Sequence, residues 1–362
     1  MIFRKSLLAA ALATAIIAAP IAAALTSPAA FAEQQQAKGT VYILATGGTI
    51  AGAGKSATQT TGYKAGALGV QTLIDAVPEM KDYAKIEGEQ IANIGSQDMT
   101  TDIWLKLAKR INELLKRDDV TGVVITHGTD TLEETAYFLN LVVKSDKPVV
   151  VVGAMRPATA ISADGPMNLL DAVRVATDPQ SKGRGVLVAL NDTVNAARAN
   201  TKTNTASLQT FSSPEVGAIG VITGGKVRYY RQVEREHTTK TPFDVSKLDK
   251  LPRVDIIYTH VSDDGVMADA AVAAGAKGIV SAGSGMGSIH KDTYPALEKA
   301  ISKGVVVVRS NRTGSGFVDA AQQWKDCVTA DNLNPQKARI LLQLALTKTS
   351  DPAKIQEMFD KY

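Results

Sequence analysis

The stretch "VYILATGGTIAG", Val41 to Gly52, decides how the rest of the chain is read. Strand-forming residues from Val41 to Ala45 run into Thr46-Gly47-Gly48, and Thr49 follows at once. β-Branched and aromatic residues suit a buried pleated strand, and glycine supplies the turn that ends it. The turn admits three readings: a phosphate cradle, a plain tight turn, or a device that exposes the Thr49 hydroxyl. It lacks both the G-x-G-x-x-G spacing and the GK[ST] ending of phosphate loops, which weakens the first.

Six further runs share the character of the first: 122–126, 148–155, 185–191, 254–260, 278–283 and 304–310. Near-continuous Val/Ile runs suit strands covered on both faces, and helical patterns separate them. Residues 102–115 place Ile103, Leu107, Ile111 and Leu114 on one helical stripe. Thr131 to Glu134 has the form of a capping box, so a helix is predicted immediately after Asp130. Asn334-Pro335 and Asp351-Pro352 each read as an N-cap with proline in the first helical position. The alternation predicts an α/β chain. A larger N-terminal domain over 38–230 has a mainly parallel sheet flanked by helices, and a smaller C-terminal α/β domain with its own parallel sheet covers 251–362. The polar stretch 231–250 links them.

Residues 1–32 have the layout of a secretory signal: Arg4 and Lys5, an apolar run, then Ala30-Phe31-Ala32. Leu7 to Ala24 approaches spanning length, which is the membrane-anchor alternative. Pro20 and the polar "EQQQAKG" beyond favour cleavage near Ala32 and an exported chain without a stable membrane anchor. Losing Arg4 and Lys5 lowers the formal charge from +4 to +2, and no basic track suited to nucleic acid appears. Cys327 is the only cysteine, so no intramolecular disulfide is expected, and it reads as an inert structural residue. His127, His237, His260 and His290 have no metal-ligand spacing, and neither a metal nor a cofactor is expected.

Ligands of open parallel sheets bind beyond the carboxyl ends of the strands. Those ends carry Thr46-Gly47-Gly48-Thr49, His127-Gly128-Thr129-Asp130, Met155-Arg156-Pro157 and Asn191-Asp192. Taken singly, each reads more readily as turn or cap chemistry, and "GSGMGS" (283–288) is an imperfect dinucleotide match. A threonine nucleophile needs a neighbour to take its proton, and the chain has no G-x-S-x-G elbow. On spacing alone Lys202, in "ANTKTNTA", reads as a solvated loop lysine.

Taken together, "ATGGTIAG", "IGSQDMT", "HGTDTLEETAYFL", "VGAMRP", "SADGPMNL", "TKTNT" and "LNPQKAR" closely resemble the bacterial type II L-asparaginases and periplasmic glutaminase-asparaginases. The likeness runs in order from about Lys38 to Tyr362. It implies a periplasmic homotetramer, a dimer of dimers, that hydrolyses L-asparagine to L-aspartate and ammonia, with L-glutamine as the candidate second substrate. Thr49 matches the nucleophile, with Gly48 beside it, and Tyr63 matches the tyrosine of a mobile lid, here 52–69 with five glycines. Ser96 and Gln97 match the pair that grips the substrate's α-carboxylate and α-amino groups. Thr129, Asp130 and Lys202 match the second threonine, its carboxylate and its lysine. Double displacement through a Thr49 acyl-enzyme is the implied mechanism.

The chain departs from that pattern in three places. Met286 and Ser288 replace asparagines in the C-terminal glycine loop that reaches a neighbouring subunit's site, and Ser288 is the substrate-binding candidate there. No glutamate lies between Glu298 and Glu357 to orient the lid tyrosine, which leaves Asp319 and Gln322 as substitutes. Ser145 stands where some members have a disulfide cysteine. The rival readings are a periplasmic amino-acid binding protein without turnover and an amidotransferase-type subunit acting on aminoacyl-tRNA; the export signal and absent basic track oppose the second.

Overall fold

The computed structural model describes residues 38–362, so the secretory signal expected over 1–32 lies outside the described residues. In chain order the first half holds β1 (Thr40–Gly47), α1 (Val70–Asp75), β2 (Lys85–Ile94), α2 (Thr101–Leu114), β3 (Val120–Thr126), α3 (Leu132–Val142), β4 (Val149–Val152) and α4 (Gly165–Thr177). Then come β5 (Val186–Leu190), β6 (Thr193–Ala196), β7 (Thr201–Lys202), β8 (Phe211–Ser212), β9 (Gly220–Thr223) and β10 (Lys226–Tyr229). The remainder is β11 (Val254–Tyr258), α5 (Val266–Ala273), β12 (Gly278–Gly283), α6 (Tyr294–Ser302), β13 (Val306–Asn311), β14 (Val328–Thr329), α7 (Pro335–Ala345) and α8 (Pro352–Lys361).

Eight strands form the first sheet in the order β10-β9-β6-β5-β4-β3-β1-β2. The strands β5, β4, β3, β1 and β2 run parallel, and β6, β9 and β10 extend one edge antiparallel. From β1 the chain moves outward to β2, then returns to place β3 on the other side of β1. The winding therefore reverses between β1 and β3, and the binding crevice of such sheets opens there. The second sheet, β11-β12-β13-β14, is parallel throughout. The predicted α/β class, with a mainly parallel larger sheet and a smaller parallel one, is the observed fold.

Local sequence explains most elements. In α2 the Thr100 hydroxyl accepts from the Ile103 amide as N-cap, and Leu107, Ile111 and Leu114 are fully buried. Burying a side chain of that size contributes roughly 1.5–3 kcal/mol. Asn334 and Asp351 cap α7 and α8 as expected, with prolines at the first helical positions. The helix after Asp130 begins at Leu132, but the capping box does not form: Thr131 makes no cap bond and its hydroxyl donates instead to the Ser96 carbonyl at 2.8 Å. The run 148–155 yields a strand only over Val149–Val152. Gly153 then passes so close that a Cβ there would lie 2.8 Å from the His127 carbonyl oxygen.

One apolar cluster runs from the first sheet through α2 and α3 into α7, α8 and the second sheet. A second lies beneath α1 and α4, and a third beneath α5 and α6. Residues 231–250 contain no strand, yet Phe243 and Val245 are buried and the Lys144 ammonium donates to the Thr238 and Thr241 carbonyls. Between Gly283 and Ser288 the "GSGMGS" loop folds back on itself through a Ser284–Ser288 bridge, and the next helix starts only at Tyr294, so no dinucleotide turn exists there.

Candidate active site

The ends of β1 and β3 meet at the point where the winding reverses. Gly48 has a positive φ of 80°, and a Cβ there would lie 2.2 Å from the Gly128 nitrogen. A Cβ on Gly128 would in turn meet the Ser96 Oγ at 2.6 Å. The glycines therefore allow the two strand ends to touch backbone to backbone and admit the Ser96 side chain from the segment after β2.

Around that contact lies a cavity of about 600 Å³. It brings together Gly48, Thr49, Tyr63, Ser96, Gln97, Thr129, Asp130 and Lys202, all sequence candidates from five separate segments. The Thr49 Oγ1 lies 2.7 Å from the Tyr63 hydroxyl. The Lys202 Nζ donates to the Thr129 Oγ1 at 3.0 Å and to the Asp130 Oδ1 at 2.7 Å. Asp130 itself is largely exposed to the cavity mouth, its side chain 61% accessible. The Lys202 side chain is only 16% accessible, which overturns the solvated-loop reading. Lys202 ends the short strand β7, and its main-chain N–H donates to the Glu133 carboxylate of α3 at 2.6 Å.

Ser96 joins the third segment to this frame. Its Oγ accepts from the Asp130 amide at 3.1 Å, and its carbonyl takes the Thr131 hydroxyl. Gln97 is exposed, with its amide donating to Asp98 at 3.1 Å. Beneath the turn, His127 is fully buried. Its Nδ1 donates to the Gly128 carbonyl at 2.7 Å, so its Nε2 accepts the Thr135 hydroxyl at 2.8 Å, and Thr135 accepts the Trp104 indole N–H at 2.7 Å. Burial pushes the His127 imidazole down to about 4, so this chain of bonds persists unprotonated at neutral pH. Burial likewise pushes the Cys327 thiol up to about 12, in keeping with an unreactive cysteine.

Not every candidate reaches the cavity. Ser288 does not line it, nor do Asp319 and Gln322, and Met286 is 56% exposed on the C-terminal loop. Residues that the sequence reading did not single out, Thr60, Thr61, Thr205 and Ala206, do line it. Their polarity and their loops gave no periodic signal, and only tertiary placement brings them in.

Family models match both halves of the chain: "Asparaginase, N-terminal" over residues 40–235 and "Glutaminase/Asparaginase C-terminal domain" over 253–359. The chain belongs to the asparaginase family. Within that family it is 59% identical to "L-asparaginase 2" of Bacillus subtilis strain 168, over 89% of this chain and 86% of that protein. It is 55% identical to "Probable L-asparaginase periplasmic" of Haemophilus influenzae, over 89% and 93% respectively. Among solved structures it resembles "Probable Cytoplasmic L-asparaginase" from Campylobacter jejuni, with a TM-score of 0.88 and 55% identity, covering 90% of this chain and 100% of that one. The family's members are thus named for two different compartments.

Proposed function

We propose that the chain hydrolyses L-asparagine to L-aspartate and ammonia through a covalent ester on Thr49. The observation that carries the reading is the 2.7 Å contact between the Thr49 and Tyr63 hydroxyls, set beside the Thr129–Lys202–Asp130 group in one cavity. A threonine hydroxyl gains nucleophilicity when a neighbour relays its proton, and Tyr63 is within reach to do so. The Thr49 Oγ1 attacks the side-chain amide carbon, the C–N bond breaks, and ammonia leaves with the proton that Thr49 gave up. Water then adds to the ester carbonyl, and its cleavage regenerates the Thr49 hydroxyl and frees aspartate. The Thr129–Lys202–Asp130 group guides water and protons in the second half.

Ser96, Gln97 and Asp130 hold the α-carboxylate and α-ammonium, Asp130 pairing with the ammonium, and Gly48 lets the substrate lie against the backbone beside Thr49. Glutamine is the second substrate, because one methylene typically shifts discrimination by only ~1–3 kcal/mol. We assign Ser288 to a neighbouring subunit's cavity in a homotetramer, in keeping with its absence from the lining of this one. Export to the periplasm follows from the 1–32 signal and agrees with the compartment in the name of the Haemophilus relative. A binding protein without turnover gives no reason for the Lys202 contact to Thr129.

Coupled ammonia detection with asparagine and with glutamine, wild type beside Thr49→Ala, tests the reaction. Thr49→Ala is expected to lose kcat by roughly 10³-fold or more while keeping cooperative unfolding. Ammonia release near the wild-type rate would overturn the assignment.

A further inference from the structure

The segment that delivers Lys202 has little regular structure of its own. β7 is two residues long and pairs only with β8, and a ribbon that short is marginal without outside support. Two buried charges supply that support. The Lys337 ammonium, 2% exposed near the start of α7, donates to the carbonyls of Ala197 at 3.1 Å, Arg198 at 2.8 Å and Asn200. The Glu133 carboxylate, 3% exposed in the first turn of α3, accepts the main-chain N–H of Lys202 at 2.6 Å. Its other oxygen accepts from the Asn334 and Gln336 side-chain amides at 3.0 and 2.5 Å. Asn334 completes the arrangement, since its carbonyl oxygen caps α7 on the Lys337 amide at 3.1 Å.

Burying a carboxylate and an ammonium is expensive unless each is fully hydrogen-bonded, and here both are. Their targets are the six residues that end at Lys202. Glu133 follows Thr129 by four residues, so one carboxylate ties the backbone of Lys202 to the first turn of α3, immediately after Thr129 and Asp130. We infer that Glu133 and Lys337, with Asn334 and Gln336 of the C-terminal domain, form a clamp that positions Lys202 against Thr129 and Asp130. None of the four lines the cavity around Thr49, so they are positioning residues. The inference rests on the reaction proposed above. It also gives the C-terminal domain a part in the site of its own chain, through the amino end of α7.

The test is a double-mutant cycle on the full chain, with steady-state kinetics on asparagine and thermal unfolding of each variant. Lys202→Met removes the group being positioned; Glu133→Gln and Gln336→Leu loosen the clamp. Glu133→Gln is expected to lower kcat roughly 10- to 100-fold, the scale of a displacement near 1 Å, with little change in KM. Gln336→Leu should lower kcat in the same direction by less. In the Lys202→Met background both losses should largely vanish, because a clamp with nothing to hold costs nothing in turnover. Equal losses in both backgrounds, or a folded Gln336→Leu protein with wild-type kcat, would overturn the clamp. If Glu133→Gln does not fold, the Gln336→Leu cycle carries the test alone. A Thr49→Ala protein with wild-type turnover takes down the reaction and the clamp together. An inactive Thr49→Ala protein beside additive clamp losses takes down the clamp alone.

Discussion

Gly48 shows how one residue can be recognised in a sequence for an incomplete reason. Its place after a strand and before Thr49 marked the turn, but what demands glycine is the backbone of Gly128, just past the end of β3 and eighty residues away in the chain. A local pattern carries no information about that approach. Gly48→Ala would set a Cβ 2.2 Å from the Gly128 nitrogen at a φ of 80°. Neither the clash nor the dihedral can relax without moving the end of β1, and the dihedral alone costs about 1–3 kcal/mol. The variant is expected to unfold several degrees lower and to lose most of its turnover; calorimetry and the ammonia assay check both. Lys202 is the opposite case. Small polar neighbours made it look solvated, and only the fold brings its ammonium to Thr129 and Asp130.

At the scale of the element, α3 concentrates more of the site than any other. Thr129 and Asp130 sit just before its amino end, where unpaired amides favour negative charge. Glu133 points toward Lys202 and Thr135 toward His127. The sequence marked where this helix starts but misjudged how, because Thr131 serves Ser96 instead of its own helix. The edge strand β2 was not among the apolar runs at all. It is half exposed and rich in Glu, Gln and Gly, so it lacks the signal that buried strands give, although it delivers Ser96 and Gln97. On the same helix, burial, with the neighbouring Glu133 charge adding to it, pushes the Glu134 carboxyl up to about 7. Arg339 and Lys337 oppose that shift without cancelling it. The folded state therefore holds this proton more tightly than the unfolded chain does, and the stability gained is full below about pH 4.5 and lost as pH rises through about 7. Glu134→Gln should remove that decline, leaving the variant more stable than wild type at pH 8. Urea titrations at pH 5 and pH 8 measure the difference, and an unchanged decline in the variant would contradict it.

For the whole molecule, the α/β class and the two sheets were legible because buried parallel strands announce themselves as Val/Ile runs. What joins the halves was not: the apolar cluster shared by α3 and α7, and the polar contacts of Glu133 and Lys337, which link residues 201 and 140 positions apart. The site follows the same division. Its strand-end threonines could be found by position, whereas its lysine, its lining loops and its C-terminal supports needed the fold. All of these parts bear on turnover through an ester on Thr49. Partitioning with hydroxylamine measures it most directly, using asparagine and the β-methyl ester of aspartate as alternative substrates. A shared Thr49 ester forgets its leaving group, so both substrates should give the same ratio of β-aspartyl hydroxamate to aspartate at each hydroxylamine concentration. Ratios that depend on the leaving group would show direct attack by water and contradict the account.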